Sequence, residues 1–299
     1  MKRPRISPLG GLALVALIAV LATGCGSDDN TSSSITGAVT ADQAIAAAVP
    51  ADIRSKGTLT VAADATYPPN EFIGADGQTV EGMDADLAQA LGGVLGLKVD
   101  VVNATFDTIL PGLAADRYDL GMSSFTDTKE REQVVDFVTY FEAATAFYVK
   151  AQGGPTINTL ADLCGQRVAA ERGTTQAADA TAQSAKCKTA GKPGVNVLVF
   201  PDQNAANLAL TSDRGDVGMA DLPVAAEFVN KSNGLFKLVG EAYGPFPYGI
   251  AIPKGNGMAQ PVLDALKVLM ANGTYTAILT KWGVQDGAID NPQINGAIS

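Results

Sequence analysis

The sequence predicts a mixed α/β architecture of two lobes with a cleft between them, and three observations lead there. β-type runs alternate with stretches of helical period in two successive sets, the first spanning residues 58–122 and the second 167–229. The connections within each set are short, so each builds a mainly parallel sheet with helices on its faces. Two strand-like crossovers, near residues 148 and 246, carry the chain into the second set and back. Two crossovers make a hinge, and ligands bind in the cleft that a hinge closes. At 299 residues the chain is long enough for two cores, and 46% hydrophobic with 17% charged residues is a globular composition.

Lys2, Arg3 and Arg5 precede an apolar run, Gly11 to Ala22. That run is shorter than the ~20 residues of a bilayer span, so residues 1–24 read as an export signal. It ends in Leu21-Ala22-Thr23-Gly24-Cys25, which resembles a bacterial lipobox with Cys25 as the lipid-modified first residue of the mature protein. Ala22 stands where leucine is usual, and the competing reading is an ordinary cleaved signal beside an unrelated cysteine. Residues 25–56 are expected to be a lipid-anchored flexible linker, polar and serine-rich to about Thr40 and then alanine-rich and helical to Ile53, broken near Pro50.

The formal charge of −10 would become more negative by three on loss of the basic head. An acidic surface argues against a nucleic-acid partner. There is no histidine, which excludes Ser-His-Asp and Cys-His catalysis and His-based metal sites. If Cys25 carries lipid, Cys164 and Cys187 remain as an even pair expected to form a disulfide in an exported protein, the alternative being two buried thiols.

Folded structure is expected from the strand Thr58–Ala63, which ends in Asp64-Ala65-Thr66-Tyr67-Pro68-Pro69, where the prolines force a loop. Ala75-Asp76-Gly77-Gln78 between Phe72 and Val80 reads as a hairpin. Asp84 is placed as the N-cap of a helix with Met83, Leu87, Leu91 and Val94 on one face, stopped by Gly96. A strand at 97–102, a helix around Phe106–Leu113 and a short strand at 119–122 complete the first set. Ala146–Lys150 is the crossover strand. The second set runs through a short helix at 160–163, a strand at 167–170, a helix from Thr174 to about Ala185, a strand at 197–200, a helix at 204–210, a strand at 216–220 and a helix at 223–229. Strands at 236–239 and 248–253 and helices at 258–270 and 275–282 follow, with a loosely held tail beyond Gly287. Lobe 1 is therefore assigned residues 57–147 and 247–299, and lobe 2 residues 148–246.

Ligands bind such sheets beyond the carboxyl ends of the strands. One such end is Met122-Ser123-Ser124-Phe125-Thr126-Asp127-Thr128-Lys129-Glu130-Arg131, which gathers hydroxyls, an aromatic and an arginine. Arg131 is expected on the first turn of a helix capped by Thr128, where N–H groups, dipole and guanidinium suit a carboxylate, and Ser124 and Thr126 can add bonds. The competing reading is a decorated loop with Arg131 paired to Glu130 or Glu132. Gly173-Thr174-Thr175-Gln176 is a second helix start from the other lobe, where Gly173 lets backbone approach a ligand and Thr175 offers hydroxyl and N–H, unless it is a simple cap. Asp221 ends a lobe 2 strand, where it could meet an ammonium group or cap the next helix. Tyr67 and Phe106 could sandwich a ligand side chain or simply pack.

Together these stretches resemble family 3 extracellular solute-binding proteins, the amino-acid receptors of ABC importers, over roughly Gly57 to Trp282. The matching pieces are Asp64–Pro69, Gly82-Met83-Asp84-Ala85-Asp86-Leu87, Phe106-Asp107 with Ile109, Pro111 and Leu113, Ser123 to Thr128 with Arg131, and Gly173-Thr174-Thr175. The resemblance implies a type II periplasmic-binding-protein-like fold and a monomer without cofactor or catalysis, delivering an amino acid to a membrane permease. It implies that Arg131, Thr126 and Thr175 hold the ligand α-carboxylate, that Asp221 and Ser124 hold the α-ammonium, and that Tyr67 and Phe106 pack on the side chain. It places Asp64, Ser123 and Glu171 at the end of the pocket that selects the side chain. Asn70 and Glu171 depart from the aromatic and apolar residues usual there. Asp64 with Glu171 points to a cationic side chain, with Arg172 available to oppose it. The alternatives are an exported lyase resembling cyclohexadienyl dehydratases, with Glu171 as its acid or base, and a ligand-sensing partner of a membrane receptor.

Overall fold

Helical and extended stretches of the computed structural model, which describes residues 39–298, follow the patterning closely. The export signal and Cys25 lie outside the described residues. In chain order the elements are α1 (Gln43–Ala48), α2 (Ala51–Lys56), β1 (Thr58–Ala63), β2 (Thr66–Tyr67), β3 (Glu71–Ile73), β4 (Val80–Glu81), α3 (Met83–Leu95), β5 (Lys98–Asn103), α4 (Phe106–Ala114) and β6 (Leu120–Gly121). Then come β7 (Val135–Lys150), β8 (Arg167–Glu171), α5 (Thr175–Thr189), β9 (Asn196–Phe200), α6 (Gln203–Thr211), β10 (Val217–Asp221), α7 (Leu222–Lys231), β11 (Phe236–Pro253), α8 (Ala259–Ala271) and α9 (Thr274–Lys281).

The fold is two-lobed. Strands β5-β1-β6 are parallel neighbours, and so are β9-β8-β10. Between the triplets, β11 and β7 pair antiparallel and join everything into one eight-stranded sheet. Each triplet has its first strand in the middle, so the following crossovers go to opposite sides and open a crevice at the carboxyl ends. The small sheet β2-β3-β4 beside it contains the expected hairpin.

Two long strands tie the lobes. Val138, Tyr140 and Phe141 of β7 pack into one apolar core with Leu87, Leu91 and Leu266, whereas Phe147 and Val149 pack into another with Val168, Val217 and Met219. The sequence splits β11 into strands at 236–239 and 248–253. In the structure one strand runs through, with register shifts at Val239/Tyr243, Tyr243/Phe246 and Tyr248/Gly249. Bulges bend a strand without ending its pairing, and the glycines and prolines of Gly240–Pro247 hide that continuity from a periodicity argument.

Three expectations are corrected. Residues expected as flexible linker up to 56 are folded from Val39 onward: Asp42 caps α1 through Ala44 and Ile45 N–H at 2.9 and 3.1 Å, and Val49 and Ile53 are buried in the first core. The tail beyond Gly287 is not loose. It lies along β7, with Thr139 N donating to Gln293 O at 2.9 Å, Asn295 N to Phe137 O at 2.9 Å and Phe137 N to the Asn295 side chain at 2.8 Å, because backbone groups in a buried strand need partners. Asp84 does not cap α3. Gly82 holds that position, and Asp84 sits inside the first turn with its carboxyl turned to the binding loop.

Cys164 and Cys187 form a disulfide that fastens the N-terminal side of β8 to α5. Among the described residues no helix is long and apolar enough to cross a membrane.

Candidate functional site

The carboxyl ends of β1, β6, β8 and β10 converge on a narrow, nearly filled cavity of about 10 Å³. Tyr67, Phe106, Ser124, Thr126 and Arg131 line it from one lobe, and Thr174, Thr175, Gln176 and Asp221 from the other.

Arg131 opens a three-residue 3-10 helix, Arg131–Gln133, rather than the expected α-helix. So short a turn brings little dipole, and the guanidinium carries the charge. Glu130, not Thr128, holds the N-cap position, although the Thr128 hydroxyl accepts from Arg131 N at 3.2 Å. The Arg131 side chain pairs with neither Glu130 nor Glu132. It donates to Thr126 O at 2.7 Å and, across the cleft, to Gly173 O at 2.9 Å. Its guanidinium carbon lies 5.5 Å from the ring centres of both Phe106 and Phe125, which stack on each other at 4.4 Å. Two anchored donors leave three N–H groups of the fork for a carboxylate. Burial lowers its proton affinity, and Asp221 acts against that fall.

On the opposite wall Thr174 is the N-cap of α5, accepting from Ala177 N at 3.2 Å, so Thr175 at the first helical position has a backbone N–H without a helical acceptor. Gly173 has φ +81°, and a Cβ there would stand 3.1 Å from Asp107 Cβ. Glycine is what lets the two lobes meet at this point. Asp221 occupies the N-cap position of α7, but its side chain makes no capping bond there. Its carboxyl accepts from Gln176 Nε2 at 2.8 Å and Tyr248 O–H at 2.7 Å. Burial raises its pKa to about 6 against those bonds and Arg131.

Asp64 and Glu171 do not line this space; Glu171 reaches its lining through Tyr67 and Asp64 through Phe106 N. The Tyr67 hydroxyl donates to Glu171 Oε2 across the cleft. Asp64 accepts from Thr66 Oγ1 at 2.7 Å and Phe106 N at 2.9 Å. Both carboxyls are almost wholly buried. Burial first, and the neighbouring Asp64 second, push Glu171 up to about 9, and burial raises Asp64 too. Glu171 Oε1 has no hydrogen-bond partner among the described residues. Arg172 turns away to Asp107, 3.5 Å distant, and does not neutralise the pair.

Ser123 and Phe125, also expected in the site, lie beneath the surface as well. Ser123 is fully buried, accepting from Asp64 N at 2.8 Å, and Phe125 is packed under Phe106. Asn70 is also buried and donates to Ser124 Oγ at 3.0 Å, so its departure from an aromatic alters the support of the loop, not the cavity wall. Gln176 escaped sequence reasoning, since a glutamine in an alanine-rich helix carries no signal of direction. So did Glu71 and Tyr248, which act from behind the site.

Residues 59–285 match the model of the bacterial extracellular solute-binding proteins, family 3. The arginine-binding protein ArgT of Corynebacterium glutamicum is 33% identical, with 84% of this chain and 82% of that protein covered. The L-cystine-binding protein TcyJ of Escherichia coli K12 is 30% identical over 77% and 84%. Among solved structures, an ancestral arginine-binding protein bound to arginine is 37% identical with a TM-score of 0.70, covering 76% of this chain and 98% of that one. The ancestral amino-acid-binding protein AncCDT-1, a precursor of cyclohexadienyl dehydratase, is 33% identical with a TM-score of 0.69, covering 77% and 97%.

Proposed function

The chain belongs to the family 3 bacterial extracellular solute-binding proteins, and from that premise we propose that it is the receptor of an ABC importer that closes on a basic L-amino acid, arginine foremost. The observation that carries the ligand class is the Asp64–Glu171 pair. Two buried carboxyls, one from each lobe, stand behind the cavity lining, Glu171 bonded to Tyr67 and Asp64 to Phe106 N, and Glu171 Oε1 accepts no hydrogen bond among the described residues. A guanidinium or ammonium placed there supplies the missing donor and lets both carboxyls ionise. Arg131 and the Thr175 N–H take the α-carboxylate, Asp221 and Ser124 the α-ammonium, while Tyr67 and Phe106 flank the stem. The names of the arginine-binding relatives support this reading. Hinge closure along β7 and β11, between lobes assigned to 57–147 with 247–299 and to 148–246, presents the liganded form to a permease. Cys25 tethers the protein to the membrane by lipid.

Calorimetry with L-arginine, L-lysine, L-ornithine, L-glutamine and L-cystine tests it. Tightest binding of a basic amino acid is expected, and tightest binding of glutamine or cystine would reject the role given to Asp64 and Glu171.

A second reading is supported by the burial of Glu171 between the lobes, which with Asp64 pushes its pKa up to about 9 and so favours the protonated form a general acid needs. An exported lyase would use it on a carboxylated ring substrate. Arg131 and Asp221 together match an intact amino acid, and no turnover of prephenate or arogenate is expected; turnover would replace the receptor reading.

A further inference from the structure

We propose that Glu71 and Asp84 share a single proton, and that this proton-bonded pair is the mount that fixes the Ser123–Ser124 turn of the binding site. Both side chains are buried to 1% exposure or less, both bond to Ser124, and each acts on the other's proton affinity. Asp84 accepts from Ser124 N at 2.9 Å and from Tyr140 O–H at 2.7 Å. Glu71 accepts from Ser123 Oγ and Ser124 Oγ, each at 3.2 Å. Ser124 has φ +51°, a left-handed conformation that a serine holds only where its surroundings fix it.

The charge state follows from the surroundings. Among the described residues neither carboxyl has a lysine or arginine ion-pair partner. The titratable groups facing them are Tyr140 from β7, Tyr248 from β11 and Asp64 from the end of β1, with Asp221 reached through Tyr248; none supplies positive charge. Two adjoining buried carboxyls cannot both ionise in such a place. Asp84 has two fixed, short donors and carries the charge. Glu71 has only hydroxyl rotors at longer range, so it carries the proton and donates it to Asp84. Burial raises both groups, Asp84 to about 6 and Glu71 well above the usual carboxylate range.

The pair acts on the ligand indirectly. Ser124 lines the cavity, and the Ser123 hydroxyl that donates to Glu71 accepts from Asp64 N. One proton therefore sets the position of the turn that meets the ammonium and of the backbone carrying Asp64. Glu71 and Asp84 are positioning residues.

Glu71→Gln tests this, because an amide donates where the protonated acid did. In the ligand-free mature protein at pH 8, the infrared difference between wild type and E71Q is expected to show loss of a protonated-carboxyl C=O band. Wild type is expected to lose melting temperature from pH 7 to pH 10 more steeply than E71Q. Asp84→Asn removes the charged acceptor, and L-arginine affinity is expected to fall about tenfold, the order of one charge-assisted hydrogen bond. An unchanged infrared band with superimposable pH profiles overturns the proposal. Failure of E71Q to fold overturns it too, since the neutral side chain is the form assigned. The band and melting measurements use no ligand, so a protein that ignores arginine would sink the ligand reading and leave this one standing.

Discussion

Arg131 and Glu171 show how far single residues carry the binding chemistry. Arg131 is held by two carbonyls from opposite sides of the cleft and two aromatic faces, so under the proposed reading it would meet a carboxylate already oriented. Arg131→Ala is expected to weaken L-arginine binding by about 3–5 kcal/mol, the cost of breaking a desolvated charge-assisted pair; wild-type affinity in calorimetry would remove it from the site. Glu171 is protonated below about pH 9, and a cationic ligand needs it ionised. Binding of L-arginine should therefore release a proton, with affinity rising as pH climbs from 6 toward 9, by up to about tenfold per unit if one proton leaves. Titration in buffers of different ionisation enthalpy reads that proton directly. Glu171→Gln should abolish the release, and an unaltered release would place it elsewhere. Arg131 was legible in the sequence as a choice between clamp and loop, and no local pattern decided it. Asp64 and Glu171 were named as pocket residues, but the raised proton affinity of each depends on burial from both lobes.

At the scale of elements, β-strand ends did most of the positioning. β1, β6, β8 and β10 could each be read from apolar runs, and so could the turns that follow them. The 3-10 helix under Arg131 could not, because three residues carry no periodicity. The disulfide between Cys164 and Cys187 ties β8 to α5, the two elements that flank Glu171 and Thr175. It closes a span of 23 residues, worth about 3.4 kcal/mol in the chain-entropy picture. Replacing both cysteines by serine should lower the melting temperature by several degrees, and an equal melting temperature would show that the covalent tie is redundant with the packing of Leu163, Ala180 and Val195.

For the whole molecule, buried carboxyls link folding to pH. Asp84 and Asp221 lie near 6, Asp127 near 7 and Glu171 near 9, all raised chiefly by burial. The folded state thus keeps protons that the unfolded chain releases near pH 4–4.5. Their contribution to stability is present at and below that point and is lost as pH rises through 6 to 9. The ligand-free protein should melt lower at pH 9 than at pH 5, and saturating L-arginine should narrow the gap; a higher melting temperature at pH 9 would contradict the assignment. Cys25→Ser should release the expressed protein from membranes, and unchanged membrane association would refute the lipid anchor.

By itself the sequence determined the alternation of strands and helices, the two sets and the residue types able to clamp an amino acid, and it left the pairing of Cys164 with Cys187 as an expectation that the structure bears out. Those properties are local, written in periodicity, caps and breakers. Tertiary structure decided what depends on neighbours distant in the chain: that β11 runs unbroken through both lobes, that residues 290–298 lie along β7, and that Asp84 turns inward to Ser124. It also decided which carboxyls keep their protons. Burial and charge proximity set that, and neither exists until both lobes surround Ser123 to Arg131.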